Sequence, residues 1–135
     1  LHPILHSFPT RRSSDLLLDE GIALYQKQDY QHAKPYFEQA QQAGHMKAPR
    51  YLGLMYLNGK GVAKNAKTAF AYFMQAAEAG DITGQYWLGH CYENGIGTAK
   101  DMTKAVHWYQ ESAKRGDHIS QPAIDALNRL GIKTH

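Results

Sequence analysis

Residues 45–80, HMKAPRYLGLMYLNGKGVAKNAKTAFAYFMQAAEAG, align without a gap on residues 81–116, DITGQYWLGHCYENGIGTAKDMTKAVHWYQESAKRG. Leu52/Leu88, Gly53/Gly89, Tyr56/Tyr92, Asn58/Asn94, Gly59/Gly95, Gly61/Gly97, Ala63/Ala99, Lys64/Lys100, Ala69/Ala105, Ala77/Ala113 and Gly80/Gly116 are identical pairs. Tyr51/Trp87, Tyr72/Trp108 and Phe73/Tyr109 keep an aromatic at the same place. Internal similarity at such a period is the signature of a repeat array, in which each unit buries its apolar face only against its neighbours.

The pattern extends outward in both directions. Ala33, Tyr36, Phe37, Ala40 and Gly44 stand one period before Ala69, Tyr72, Phe73, Ala76 and Gly80. The first half of that upstream unit is shorter, because Gly21 is closer to Ala33 than Gly53 is to Ala69, so its internal connection is shorter too. Downstream, Asp117 to Leu130 repeats a first half alone and stops at Gly131. Within a unit the apolar spacing is helical: Ala48, Leu52, Met55 and Tyr56 make one stripe, and Ala69, Phe70, Phe73, Ala76 and Ala77 another. Asp29, Asp81, Asp101 and Asp117 stand where a side-chain oxygen can cap a helix start, and Gly44, Gly80 and Gly116 where a left-handed residue can end one. Gly21, Gly53 and Gly89 fall inside helices, which predicts close helix approach opposite Ala33, Ala69 and Ala105. Pro35 predicts a kink or an offset start in the first unit's second helix.

Composition excludes several classes. The chain has 135 residues, 43% apolar and 20% charged, with a net charge of +3. That supports a buried core, and basic residues spread from Lys27 to Lys133 give no nucleic-acid footprint. The longest aliphatic run, Leu16-Leu17-Leu18, is far short of a membrane span. A single cysteine, Cys91, cannot form an internal disulfide, and its helical phase points it into packed neighbours as a buried thiol. Gly59-Lys60-Gly61 and Gly95-Ile96-Gly97 lack the preceding strand and the Gly-Lys-Ser/Thr of a phosphate loop, so they read as structural turns. His32, His45, His90, His107, His118 and His135 show no HxxxH or HExxH pairing, and no metal or cofactor is expected.

The unit spanning Gly84 to Gly97 and Lys100 to Gly116, of the form A/G-x-x-x-L-G-x-x-Y-x-x-G-x-G followed by K-D-x-x-K-A-x-x-W-Y-x-x-x-A-x-x-G, resembles the Sel-one-like repeat (SLR) family, a branch of the tetratricopeptide-type solenoids. The first unit, with Asp29-Tyr30 before Gln31-His32-Ala33, is nearer to an ordinary tetratricopeptide repeat. Asn65 and Thr68 depart from the Asp101 and Lys104 of the pattern, which predicts a weaker cap in the second unit. The resemblance implies an all-α, right-handed superhelical solenoid of three helix pairs, 17–44, 45–80 and 81–116, closed by a cap helix over 117–131. It also implies a monomeric, non-catalytic adaptor for a protein or peptide, with the first helix of each pair lining a concave groove. The groove positions map onto Ile22, Tyr25 and Gln26 in the first unit, Lys47, Arg50, Leu54 and Asn58 in the second, and Thr83, Tyr86, His90, Glu93 and Asn94 in the third. These positions vary between units while the packing set, Gly53, Tyr56, Gly59, Gly61, Ala69 and Gly80 with Gly89, Tyr92, Gly95, Gly97, Ala105 and Gly116, does not.

Relatives that clamp a peptide C-terminus use an asparagine where Leu54 and His90 stand, so a clamp is not expected. A different reading is a glycan contact in envelope assembly, with Tyr86 and Trp87 as stacking surface. A hydrolase of the β-lactamase kind would need Ser-x-x-Lys and Lys-Thr-Gly, and neither occurs. Bacterial envelope and cytoplasm both remain open as compartments. Finally, His6 to Leu16, HSFPTRRSSDL, resembles one translated frame of a common short-read sequencing adapter. Residues 1–16 are therefore expected to be non-native and disordered, ahead of a domain over 17–135 that is a piece of a longer array. Without Arg11, Arg12 and Asp15 the net charge is nearer +2.

Overall fold

Helices begin where the sequence sets a short polar residue ahead of an apolar stripe. The computed structural model describes residues 11–133 and holds seven α-helices. These are α1 (Arg11–Gln26), α2 (Tyr30–Gln42), α3 (Ala48–Asn58), α4 (Ala66–Glu78), α5 (Ile82–Asn94), α6 (Met102–Ala113) and α7 (Gln121–Arg129). Asn65, Asp81 and Asp101 accept the backbone N–H groups of Thr68, Gly84 and Lys104 at 3.1, 3.0 and 3.0 Å, satisfying donors that a helix start leaves free. At the other ends Gly44 and Gly80 take φ of 87° and 93°. There the N–H of Gly80 reaches Ala77 C=O and that of Asp81 reaches Ala76 C=O, the double closure that a left-handed glycine permits.

α1 packs on α2, α3 on α4 and α5 on α6, and each pair meets the next through α2 with α3, α4 with α5 and α6 with α7. Among the described residues there is no strand. The result is an all-α helical repeat solenoid. In each of the first two units one aromatic holds the pair and its junction with the next unit at once. The Phe37 ring lies against Gly21 on one side and stacks on Tyr51 at 4.9 Å and 6° on the other. One period later Phe73 lies against Gly53 and stacks on Trp87 at 5.8 Å and 16°. Both phenylalanines are fully buried, a burial worth about 1.5–3 kcal/mol each.

Several expectations are corrected. The helical glycines do not face the small residues Ala33, Ala69 and Ala105 alone. A Cβ on Gly53 would come within 2.6 Å of the Phe73 ring, and one on Gly89 within 2.8 Å of Tyr109, so each glycine makes room for a flat ring. α2 starts at Tyr30 and runs through Pro35 without a break or an offset. Pro35 is exposed, where water can serve the carbonyl that loses its N–H partner. Asp29 stands at the start of α2 but makes no side-chain cap; its carboxylate bonds His32 Nδ1 at 2.9 Å instead. The cap helix starts later than expected, since Asp117 opens a 3-10 turn at His118–Ser120 and α7 begins beyond it with Pro122 in its first turn.

Residues 11–16, expected to be disordered, form the start of α1. Ser14 is buried, and Asp15 Oδ1 lies 2.8 Å from His45 Nε2. No Gly or Pro follows Pro9 before Gly21, so extending an already nucleated helix over this stretch costs little. Residues 1–10 and 134–135, His135 among them, lie outside the described residues.

Candidate functional site

The residues expected to face a partner separate into three settings. Toward the start of α3 and α5, Lys47, Arg50 and Thr83 border a depression of about 260 Å³. Arg50 is engaged there: Nε and Nη2 donate to the Asp81 carboxylate at 2.9 and 2.7 Å, and the guanidinium lies 5.4 Å from the Tyr51 ring centroid. Asp81 is buried and also caps α5 through Gly84 N–H. Arg50 therefore ties one unit to the next, and removing it would leave the buried Asp81 carboxylate without its cation. Lys47 is exposed.

The second setting is a bonded network across the last units. Glu93 accepts from Tyr109 Oη at 2.7 Å and from Arg129 Nη1 and Nη2 at 2.7 and 2.8 Å. The Arg129 bond, acting against burial and together with the Tyr109 hydroxyl, holds the Glu93 carboxyl at about 2. Burial, reinforced by Glu93, pushes the Tyr109 phenol well above its ordinary value. Tyr86 leans on Tyr109 and on His90, with centroids at 5.8 and 6.2 Å. Glu93 and Tyr86 thus serve the closing of the array on α7.

The third setting is a cavity of about 580 Å³ between the ends of α3 and α5. Leu57 and Asn58 come from the last turn of α3, Lys64 from the connection into α4 and Ala66 from the first position of α4. Trp87 and His90 come from α5, Gly95 and Ile96 from the turn after it. The walls are largely apolar. Of the polar groups in the lining, Asn58 is held locally, its Nδ2 donating to Leu54 C=O at 3.1 Å, and His90 C=O accepts from Asn94 Nδ2 behind it at 3.0 Å. Burial lowers the His90 imidazole, which favours its neutral form at pH 7. Leu54 is half-buried behind this wall. A concave, mainly apolar lining with a few polar groups is the general character of ligand-binding clefts.

The matching place one unit earlier is filled. In register, Tyr25 stands for Leu57, Tyr30 for Ala66, Tyr51 for Trp87, Leu54 for His90 and Lys60 for Ile96. The Tyr25 ring is 5.2 Å from Tyr30 and 5.8 Å from Tyr51, and Lys60 Nζ sits 5.6 Å from the Tyr30 centroid. Ile22 joins the core beneath, and Gln26 is exposed. Of the expected groove residues, the structure brings only Asn58 and His90 to the cavity. Leu57, Ala66 and Ile96 were missed because sequence reasoning attended to polar variation. The signal available was the loss of two tyrosines, at 57 and 66, between one unit and the next.

Cys91 is fully buried and its thiol is pushed up to about 12 by burial, so it stays protonated at neutral pH. Among the described residues no three His, Cys, Asp or Glu side chains come together to hold a metal ion, and no helix is long and apolar enough to cross a membrane.

The family model described as Sel1 repeat matches residues 16–45, 48–81 and 82–117. Among solved structures, a Sel1 repeat protein from Oxalobacter formigenes is 32% identical, with a TM-score of 0.75 over 87% of this chain and 49% of that one. A protective antigen of uropathogenic Escherichia coli strains, displaying an SLR fold, is 27% identical, with a TM-score of 0.74 over 87% of this chain and 26% of that one. Cysteine-rich protein B of Helicobacter pylori is 27% identical, with a TM-score of 0.62 over 67% of this chain and 68% of that one. This chain thus spans about half the length of the first and about a quarter of the second. A search of the curated proteins finds no relative. Three tandem matches on three helix pairs that share one packing set lead to a single conclusion: the chain belongs to the Sel1 repeat family.

Proposed function

We propose that this chain is a non-catalytic scaffold that binds a peptide segment of another protein at the junction of its second and third units. Sel1 repeat folds commonly serve as protein–protein interaction scaffolds. The observation that carries the finer reading is the apolar cavity of about 580 Å³ at that junction, set in a frame whose equivalent place one unit earlier is plugged by tyrosines. A cavity of this size has ample room for a large apolar side chain, the kind of buried anchor that dominates peptide binding. Asn58, Lys64 and His90 supply polar groups at its border. Lys47, Arg50 and Thr83 border a second depression, so a segment running along α3 and α5 would pass both.

The glycan reading has less behind it. One face of Trp87 is already stacked on Phe73, and Tyr86 is packed against Trp87, His90 and Tyr109.

The test uses a random dodecapeptide display library selected on the full chain and re-screened on Ala66→Tyr. That substitution copies Tyr30 of the first junction and plugs the cavity. Peptides enriched on the native chain should lose about tenfold or more in affinity for the variant, while its helical circular dichroism and melting stay unchanged. Equal binding to both proteins would put the site elsewhere.

A further inference from the structure

We infer that the segment docking at this junction is acidic, carrying carboxylates on either side of one apolar anchor residue; this rests on the reading of the cavity given above. The inference comes from an imbalance of charge between the two ends of the helix pairs. The turns that join α3 to α4 and α5 to α6 contribute directly to the cavity, through Lys64 on one side and Gly95 and Ile96 on the other. On and just beyond those turns stand Lys60, Lys64, Lys67, Lys100 and Lys104, against one carboxylate, Asp101. That carboxylate is occupied in capping α6 through Lys104 N–H at 3.0 Å.

None of the five ammonium groups has an ion-pair partner among the described residues, and all five lysines are exposed. Two of them lie over rings, Lys60 over Tyr30 and Lys104 over Tyr92 at 5.5 Å, which positions the charge without neutralising it. At the opposite end of the pairs three of the cations are matched, Arg50 with Asp81, Lys114 with Glu111, and Arg115 with Asp117, and Lys47 stands apart from these pairs. Of the five, Lys64 lines the cavity, Lys67 borders a separate depression on α4, and the others stand at the same end of the pairs. Charges paired within the chain tend to hold the fold, whereas a like-signed unpaired set at the end that carries an apolar cavity raises the local concentration of an oppositely charged partner. Carboxylates flanking an apolar side chain satisfy both features together. Phosphates would satisfy the lysines but leave Leu57, Trp87 and Ile96 without a complement.

The composition of the dodecapeptides enriched on the full chain tests this directly. They should carry an excess of Asp and Glu around a single aliphatic or aromatic position. Their affinity should fall about tenfold between about 50 and 300 mM salt. It should fall about tenfold again in Lys64→Glu combined with Lys100→Glu, with circular dichroism unchanged. Lys114→Glu, at the matched end, should leave binding as it is. Enriched peptides that are neutral or basic, yet still lost on Ala66→Tyr, would overturn the acidic partner while leaving the cavity as the site. A labelled twenty-nucleotide oligothymidine bound as tightly as the best peptides would overturn it in favour of a phosphate chain. No enrichment above the Ala66→Tyr background would overturn both readings.

Discussion

The junction between the first and second units and the junction between the second and third are built on one plan and finished differently. In both, a buried phenylalanine sits over a helical glycine and stacks on an aromatic of the next unit, Phe37 on Tyr51 and Phe73 on Trp87. In both, a left-handed glycine of the following turn presses on the start of the preceding second helix, Gly61 on Tyr30 and Gly97 on Ala66. The difference lies in what surrounds the stack. Tyr25 and Tyr30 close the first junction, and Leu57 and Ala66 leave the second open. Positions that carry the stack are constrained by close packing, while the positions around it are free to be plug or cavity. The repeat is therefore a fixed frame whose junctions can be left open or closed by the residues around the stack.

The most damaging way to break the comparison is to remove the shared stack. Phe73→Ala should cost about 3–5 kcal/mol, as a fully buried ring leaves a cavity between Gly53 and Trp87; urea unfolding would measure it, and a loss under 1 kcal/mol would show that the junctions do not depend on the ring. The closing network comes next. Glu93→Ala should cost about 1–3 kcal/mol near neutral pH, because the Tyr109 hydroxyl loses its acceptor. Since Glu93 is held at about 2, its contribution is present above the ordinary glutamate value and is lost as pH falls toward 2. The stability gap between native chain and variant should therefore narrow from pH 5 to pH 2, and a constant gap would contradict the assignment.

Smaller changes sharpen the contrast between junctions. Tyr30→Ala unplugs the first junction at a cost of about 1–2 kcal/mol, from the edge contact with Tyr25 and the Lys60 cation above the ring. It should also create a second place for the selected peptides, visible as a rise in calorimetric stoichiometry. Asn65→Asp copies the third unit's cap into the second. A full charge at the start of α4 should stabilise by about 0.3–1 kcal/mol at low salt, read as a small rise in melting temperature that vanishes in high salt.

The architecture was legible because its determinants are local and repeated. The ungapped match of 45–80 on 81–116, the glycines at 44, 80 and 116, and the aspartates at 81 and 101 set the pairs and their ends. Less legible was what each glycine faces, because Ala69 and Phe73 share one stripe of α4 and only the approach of α3 sets Gly53 against the Phe73 ring. The candidate site was legible only in part. Polar variation along the first helices drew attention to Arg50 and Glu93, whose charges the fold uses internally. The cavity depends on missing bulk, and that becomes visible only when residues 25 and 30 are set beside 57 and 66.

The central claim is that the open second junction is where a partner docks. An amide and indole NMR titration of the full chain with a selected peptide tests it most directly. The account predicts that the Trp87 indole N–H and the Ile96 amide shift progressively, that signals around Tyr25 and Tyr51 stay in place, and that Ala66→Tyr abolishes the shifts. Perturbations centred on the first junction, or shifts at Trp87 that survive Ala66→Tyr, would contradict it.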